Sequence, residues 1–311
     1  MPGKVVADTW HDWAKSFPNA PADVARFLLG SRVTHVRRRG KVLMIELSSG
    51  YSLVIHLKMT GQLVFIANQK QTRSPKPETK PEAKKNDSKS LGSEAPNLEL
   101  ERTGRFGAGH PSDSLVNALP DKSTRVVLDF TDGSKLFFND QRKFGWMRLL
   151  PTVQVPEIDF FKKIGPEPLD ADFTVDKFIE RLQKRPSSAI KAVLLDQTVL
   201  AGVGNIYADE ALFLARIHPQ AKVGGISRTK LVALHGDLQD VLKLSISKGG
   251  STDRNYVNAE GQRGSYIEFA KVFRRQNQPC PRCGTPIAKI RVAGRGTHIC
   301  PRCQRRPKGK S

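Results

Sequence analysis

The four cysteines of this chain all fall between positions 280 and 303, and their spacing is that of a metal site. Cys280-Pro281-Arg282-Cys283 and Cys300-Pro301-Arg302-Cys303 are two Cys-x-x-Cys knuckles with 16 residues between them. Each knuckle turns tightly enough to aim two thiolates at one ion, and two knuckles close a tetrahedral shell with no position left for water. One structural Zn2+ held by Cys280, Cys283, Cys300 and Cys303 is therefore predicted. A redox role for Cys-x-x-Cys needs no second pair and fits this arrangement poorly, and in a reducing compartment clustering favours metal over disulfides. The intervening TPIAKIRVAGRGTHI alternates like a β-hairpin, with its turn at Ala293-Gly294. That would leave Arg295 in the turn, exposed and aimed away from the metal.

A second stretch, SSAIKAVLLDQTVLAGVGNIYADEALFLARIHP (187–219), could bind an anion. Ser187 or Ser188 is predicted to cap a helix whose apolar positions are Ile190, Val193 and Leu194. Ala201-Gly202-Val203-Gly204 ends that helix with two glycines. Asn205 is predicted to cap the next one, with Ala208, Ala211 and Leu212 on one face. A glycine-rich turn feeding a helix N-terminus presents free backbone amides to an anion, and a DNA phosphate would suit. An ordinary helical hairpin gives the same pattern, so this stretch alone leaves both readings open.

Charge points to a polyanion. The 311 residues include 51 Lys and Arg against 30 Asp and Glu, a formal charge of +21. Such an excess favours nucleic acid, because each contacted phosphate releases condensed counterions. On charge alone, solubility or ribosome association stays open. No apolar run approaches the length of a membrane span, and the opening MPGKVVADTWHDW lacks a signal-peptide core, so a cytoplasmic protein is expected.

The groups that could do chemistry need a scaffold, and the hydrophobic pattern outlines one. Trp10 to Leu29 reads as a loop followed by a short helix. Residues 32–66 read as β structure, with RVTHV, KVLMIEL and YSLVIHL as short aliphatic runs. Residues 68–122 are rich in Lys, Pro, Glu and Ser and cannot bury enough surface to offset the entropy of ordering. This insertion is predicted to be disordered, its later part to Asp121 a poorly ordered loop. Strand signals return at RVVLDF (125–130) and KLFFND (135–140), joined through Asp132-Gly133, a hairpin cue. PTVQVPEIDF and IGPEPLD look like an inter-domain linker, and helical patterns run from about Phe173 to Lys248.

Several of these segments together resemble the formamidopyrimidine-DNA glycosylase family. AGVGNIYADEALF, with Ile190-Lys191 upstream and Ile217-His218-Pro219 downstream, is similar to its helix-two-turn-helix module. IGPEPL (164–169) is similar to the entry to that module. RRGKVLMIEL (38–47), HLKMTGQL (56–63) and DQRKFGWMRL (140–149) look like its N-domain signatures, and the four-cysteine spacing agrees.

The resemblance implies an α+β chain in three parts. They are a two-layer β-sandwich domain over 1–150 that carries the insertion, a helix-two-turn-helix domain over 151–265, and a C-terminal zinc ribbon over 266–311. It also implies excision of oxidised purines from double-stranded DNA, followed by β- and δ-elimination, by a monomer associated with the nucleoid. Lys41 is similar to the lysine that moves protons around the sugar. Arg295 is similar to the finger arginine at the lesion phosphate, linked to δ-elimination. Met59, Arg142 and Phe144 look like the wedge that fills the hole left by a flipped nucleotide, and Lys191 and Asn205 look like phosphate ligands. The same trio argues against the sister family that prefers oxidised pyrimidines.

The opening departs from the family. There a Pro-Glu-Leu-Pro-Glu start supplies a proline amine as nucleophile and its acidic partner. Here the chain reads Met1-Pro2-Gly3-Lys4, with no Glu before Glu46. The expectation is a nucleophile segment upstream of Met1. The alternative is a catalytically incomplete relative that binds damaged DNA.

Overall fold

The computed structural model describes residues 1–68, 105–109, 118–250 and 266–306. Its first half is built from two antiparallel sheets. One has five strands in the order β1-β7-β8-β5-β6, and the other has four in the order β2-β3-β4-β9. The four-stranded sheet comprises β2 (Val33–Arg39), β3 (Val42–Leu47), β4 (Tyr51–His56) and β9 (Trp146–Pro151). The five-stranded sheet comprises β1 (Val6–His11), β5 (Gly61–Ile66), β6 (Arg105–Gly109), β7 (Thr124–Phe130) and β8 (Lys135–Asp140). Ile45, Leu53 and Met147 from one sheet meet Leu63, Leu128 and Phe138 from the other in one core, as the alternation of strand side chains requires.

Two readings of the sequence are corrected here. Trp10 and His11 belong to β1 rather than to a loop, because pairing with β7 carries the strand through to His11↔Val126. After it comes the short helix α1 (Pro21–Phe27), with proline in its first turn. The insertion is not featureless in its later part: Arg105–Gly109 forms β6, which pairs with β5 from Ile66↔Arg105 to Gln62↔Gly109. The expected disorder of 69–104 and 110–117 lies outside the described residues.

The linker also has structure of its own. A 3-10 turn (Thr152–Glu157) and the helix α2 (Asp159–Lys163) place Val155, Phe160 and Phe161 against Val42, Val54 and Trp146. These side chains cover the outer face of the four-stranded sheet, so the apolar residues of VPEIDFF pack rather than span solvent.

The helical part comprises α3 (Val175–Gln183), α4 (Ile190–Leu195), α5 (Asn205–Leu214) and α6 (Arg228–Ser247). Their shared core includes Phe178, Leu194, Leu200, Leu212 and Leu234. After α7 (Tyr266–Phe269), the chain ends in a ribbon of β10 (Ala288–Val292) and β11 (Arg295–Ile299). The tip of that ribbon turns through Ala293 and Gly294 at φ of 49° and 74°. Two positive values in succession are what a two-residue type I′ hairpin needs.

Candidate nucleic-acid interface and metal centre

One end of the sandwich gathers the residues read as a wedge. Met59 follows β4, while Arg142 and Phe144 lie in the loop between β8 and β9. Met59 is 54% exposed and Phe144 57%, so neither belongs to the core. The Arg142 guanidinium lies over the Phe144 ring at 4.9 Å, and its Nη1 comes within 3.9 Å of the Met59 sulfur. Both loops hang from Asp140, which is fully buried. Its carboxylate accepts from the Thr60 hydroxyl, from the Arg142 N–H at 3.2 Å and from the Gly145 N–H at 2.6 Å. Gly145 is required here, since a Cβ would stand 2.8 Å from the Phe138 ring.

Lys41 lies at the same end. It follows the Gly40 turn between β2 and β3, and Val42 pairs with His56 immediately before the Met59 loop. Lys41 keeps solvent access, yet its Nζ donates across to the Val203 carbonyl at 3.1 Å. Burial, and secondarily the positive charge of Arg295, hold its pKa below the ordinary lysine value. His56 is pushed down to about 4 by burial, then by Lys58 and Lys41, and so is neutral at pH 7.

The hairpin tip that bears Lys41 docks on IGPEPL. Arg38 pairs with Glu167 in a fork of 3.1 and 2.7 Å, the Gly40 N–H donates to the same carboxylate at 2.7 Å, and Arg39 reaches Asp170 at 3.3 Å. Burial alone would raise the Glu167 pKa. The Arg38 hydrogen bond, the Gly40 N–H and the charges of Arg38 and Arg39 outweigh it and bring the carboxyl below its usual value.

Opposite Lys41 stands the Gly202–Asn205 turn. Gly202 has φ of 82°, and the caps differ from expectation. Ala189 precedes α4 and Gly204 precedes α5, neither with a side-chain cap bond, so Ser187, Ser188 and Asn205 are not the caps. Asn205 is the first residue of α5, and its Nδ2 donates 3.0 Å to the Gly296 carbonyl in the finger. Its Oδ1 is buried without a partner.

Lys191 departs most from its expected role. With no exposed side-chain surface, it cannot meet a phosphate in this conformation. Its ammonium lies 2.5 Å from Asp209 and also donates to the Thr297 hydroxyl at 2.7 Å. Burial depresses its pKa, Asp209 pulls the other way, and Arg295 depresses it further. Arg295 is exposed, as expected, although it opens β11 just past the turn rather than lying within it.

The cysteine sulfurs fit one tetrahedral zinc. Cys283 lies 3.5 Å from Cys300 and 3.6 Å from Cys303, and Cys280 lies 4.0 Å from Cys303. Zn–S bonds of about 2.3 Å in a tetrahedron put sulfurs about 3.8 Å apart. The Arg282 and Cys303 N–H groups point at the Cys280 and Cys300 sulfurs, the usual screening of thiolate charge in a knuckle. Buried Gln304 ties the second knuckle to the helices, accepting from the Cys300 N–H at 3.0 Å and donating to the Ile217 carbonyl at 2.9 Å.

Lys41 thus meets the Gly202–Asn205 turn, which is tied to the finger residue next to Arg295, and Met59, Arg142 and Phe144 form an exposed cluster at the same end of the sandwich, while Lys191 is buried beneath the finger turn. Pro2 does not join them. Its neighbour Gly3 donates to the Val33 carbonyl, at the end of β2 remote from the Gly40 turn. Six residues of strand separate the two ends, about 20 Å at ~3.3 Å per residue.

Sequence reasoning missed Asp140, Glu167, Asp209, Glu210 and Gln304. A faint signal existed for the acids of α5, since adjacent helical residues cannot share a face and both sit among apolar neighbours. Glu210 accepts the N–H groups of Lys271, Val272 and Phe273 at 2.7, 2.9 and 2.8 Å, and burial holds its pKa above the carboxylate norm despite them.

Comparison with known proteins agrees along the whole length. Residues 1–147 match the formamidopyrimidine-DNA glycosylase N-terminal domain, 164–256 its H2TH domain, and 277–306 the zinc finger found in FPG and IleRS. The formamidopyrimidine-DNA glycosylase of Latilactobacillus sakei is 35% identical over 97% of this chain and 91% of its own. That of a Roseiflexus species is 37% identical over 94% and 89%. Among solved structures, the Lactococcus lactis Fpg in complex with abasic-site DNA superposes with a TM-score of 0.76 at 29% identity, covering 98% of this chain and 94% of that one.

Proposed function

The chain belongs to the formamidopyrimidine-DNA glycosylase family, and from that membership we propose a base-excision enzyme for double-stranded DNA that removes oxidised purines and then nicks the abasic site by β- and δ-elimination. The observation that carries this reading is a juxtaposition: the Lys41 amine donates to the Val203 carbonyl at the glycine-rich start of α5, and an aromatic-cation-thioether cluster stands exposed at the same end of the sandwich.

An enzyme that acts on a stacked base must extrude it and refill the gap. Met59, Arg142 and Phe144 suit that task, because apolar side chains can enter the stack while the arginine faces the unpaired base. Lys41 gives up its proton more readily than a free lysine, which suits a group that takes and returns protons at the sugar. Arg295 holds the phosphate at the lesion. Asn205 and the amides behind it hold a second phosphate, the Asn205 amide having a donor hydrogen left after Gly296. Zinc is structural and gives the finger its fold. The sandwich ends near 150, the helical domain spans 151–265 and the finger follows. The enzyme works as a monomer in the cytoplasm at the nucleoid. Among the described residues no helix is long and apolar enough to cross a membrane.

A second reading, binding of damaged DNA without excision, is favoured by the distance of Pro2 from Lys41. Borohydride trapping separates the two. The chain preceded by the family's Pro-Glu-Leu-Pro-Glu opening should be captured covalently on an 8-oxoguanine duplex and should nick it. Salt-sensitive binding with neither adduct nor nick would leave only the second reading standing.

A further inference from the structure

The finger is rooted by its metal, but its working residue is at the other end. Arg295 lies five residues before Cys300 along β11, about 17 Å at ~3.4 Å per residue. A two-stranded ribbon is marginal by itself, so zinc at the root does not fix the direction of the tip. What touches the tip comes from α4, through Lys191, and from α5, through Asn205 and Asp209. The Lys191 ammonium donates to the Thr297 hydroxyl at 2.7 Å, and that hydroxyl donates in turn to the Arg295 carbonyl at 3.1 Å. The Gly296 carbonyl accepts from Lys191 at 3.3 Å and from Asn205 at 3.0 Å. The other oxygen of Asp209 accepts the His298 N–H at 2.9 Å.

We propose that the buried Lys191–Asp209 pair is a positioning device, setting the finger turn and its Arg295 at a fixed distance from the Gly202–Asn205 turn. Neither residue touches DNA in this role. It rests on the function proposed above only for what Arg295 does. Two features set it apart from a merely stabilising ion pair. A fully buried pair costs both desolvation penalties, and matched apolar residues stabilise a fold about as well. In addition, their hydrogen bonds to the finger end on Gly296, Thr297 and His298, the three residues that follow Arg295.

The test uses the full zinc-loaded chain and the paired variant Lys191→Met/Asp209→Asn, which removes both charges together. Hydrogen exchange of the amides of 293–299 should speed up at least tenfold, with zinc content unchanged. Affinity for a duplex with a tetrahydrofuran abasic analogue should fall about tenfold. Arg295→Ala should cause a similar fall alone and no further fall in the paired background. Thr297→Val, which keeps the ion pair and cuts only the relay to Arg295, should move exchange and affinity the same way by a smaller factor. Unchanged exchange in 293–299, or losses that simply add to those of Arg295→Ala, would overturn the proposal. If the paired variant fails to hold zinc, Thr297→Val decides alone. Should the unaltered chain show no preference for the abasic duplex, the functional reading fails, and the exchange measurement still decides whether the pair positions the turn.

Discussion

Asp140 and Phe144 are four residues apart and make opposite demands on the molecule. Asp140 is buried under the wedge and receives the hydroxyl of Thr60 and the backbone of Arg142 and Gly145. Asp140→Ala strands these donors, of which only the Gly145 N–H is fully buried, and a buried donor left unpaired costs about 1–3 kcal/mol. Urea unfolding should therefore show a loss of about 1–3 kcal/mol. Phe144 stands in solvent, touching the Arg142 guanidinium. Phe144→Ala should leave unfolding within about 0.5 kcal/mol of the unaltered chain, as exposed substitutions generally do. It should instead suppress the fluorescence rise of a 2-aminopurine next to the lesion, which reports unstacking. A large stability loss with normal base extrusion would show that Phe144 packs and does not wedge.

Among elements, the contact that matters is the β2–β3 hairpin on the IGPEPL segment, because it carries Lys41 to the Gly202–Asn205 turn. Its stability has a defined pH sense. The Glu167 carboxyl has a lower pKa in the fold than when unfolded, where it is about 4.3. Its contribution is present above that value and disappears as pH falls through the lower folded one. His56 acts in a higher window. Its pKa of about 4 in the fold compares with about 6.5 unfolded, so the unfolded chain binds more protons between the two and stability drops as pH falls from 6.5 toward 4. Thermal melts should show both falls in order. His56→Asn should flatten the upper one, and Glu167→Gln should lower the melting point at pH 7 by an amount that vanishes on acidification. A Glu167→Gln deficit that is constant from pH 7 to 3 would show that the clamp does not depend on the carboxylate charge.

For the whole molecule, the excess positive charge sets how binding responds to salt. Each phosphate contact contributes a slope of about −0.9 in log affinity against log salt. Arg295→Ala should reduce the slope magnitude by about one, measured by fluorescence anisotropy between 50 and 200 mM salt. Lys191→Met/Asp209→Asn removes no charge that meets DNA itself but displaces Arg295, so it should weaken affinity and reduce the slope magnitude by the same amount of about one. A slope change in that variant larger than that of Arg295→Ala would place Lys191 at a phosphate after all.

Some of this was decided by local chemistry, which a sequence records directly. The zinc ligands follow from thiolate spacing, the ribbon turn from Ala293-Gly294, and the strands and helices from periodicity. Lys41, Met59, Arg142, Phe144 and Arg295 were legible only through segments that resemble a family, and the fold brings Met59, Arg142 and Phe144 into contact and Lys41 to the Val203 carbonyl. What only the folded chain decides is which polar groups lose their water, since that depends on residues distant in sequence. Lys191 reads as a surface cation, and it becomes a buried strut because Asp209 and Thr297 are brought to it across 18 and 106 positions. Asp140, Glu167 and Gln304 look like ordinary turn and linker residues for the same reason: their partners arrive only with tertiary packing, and burial then makes those few hydrogen bonds costly to lose.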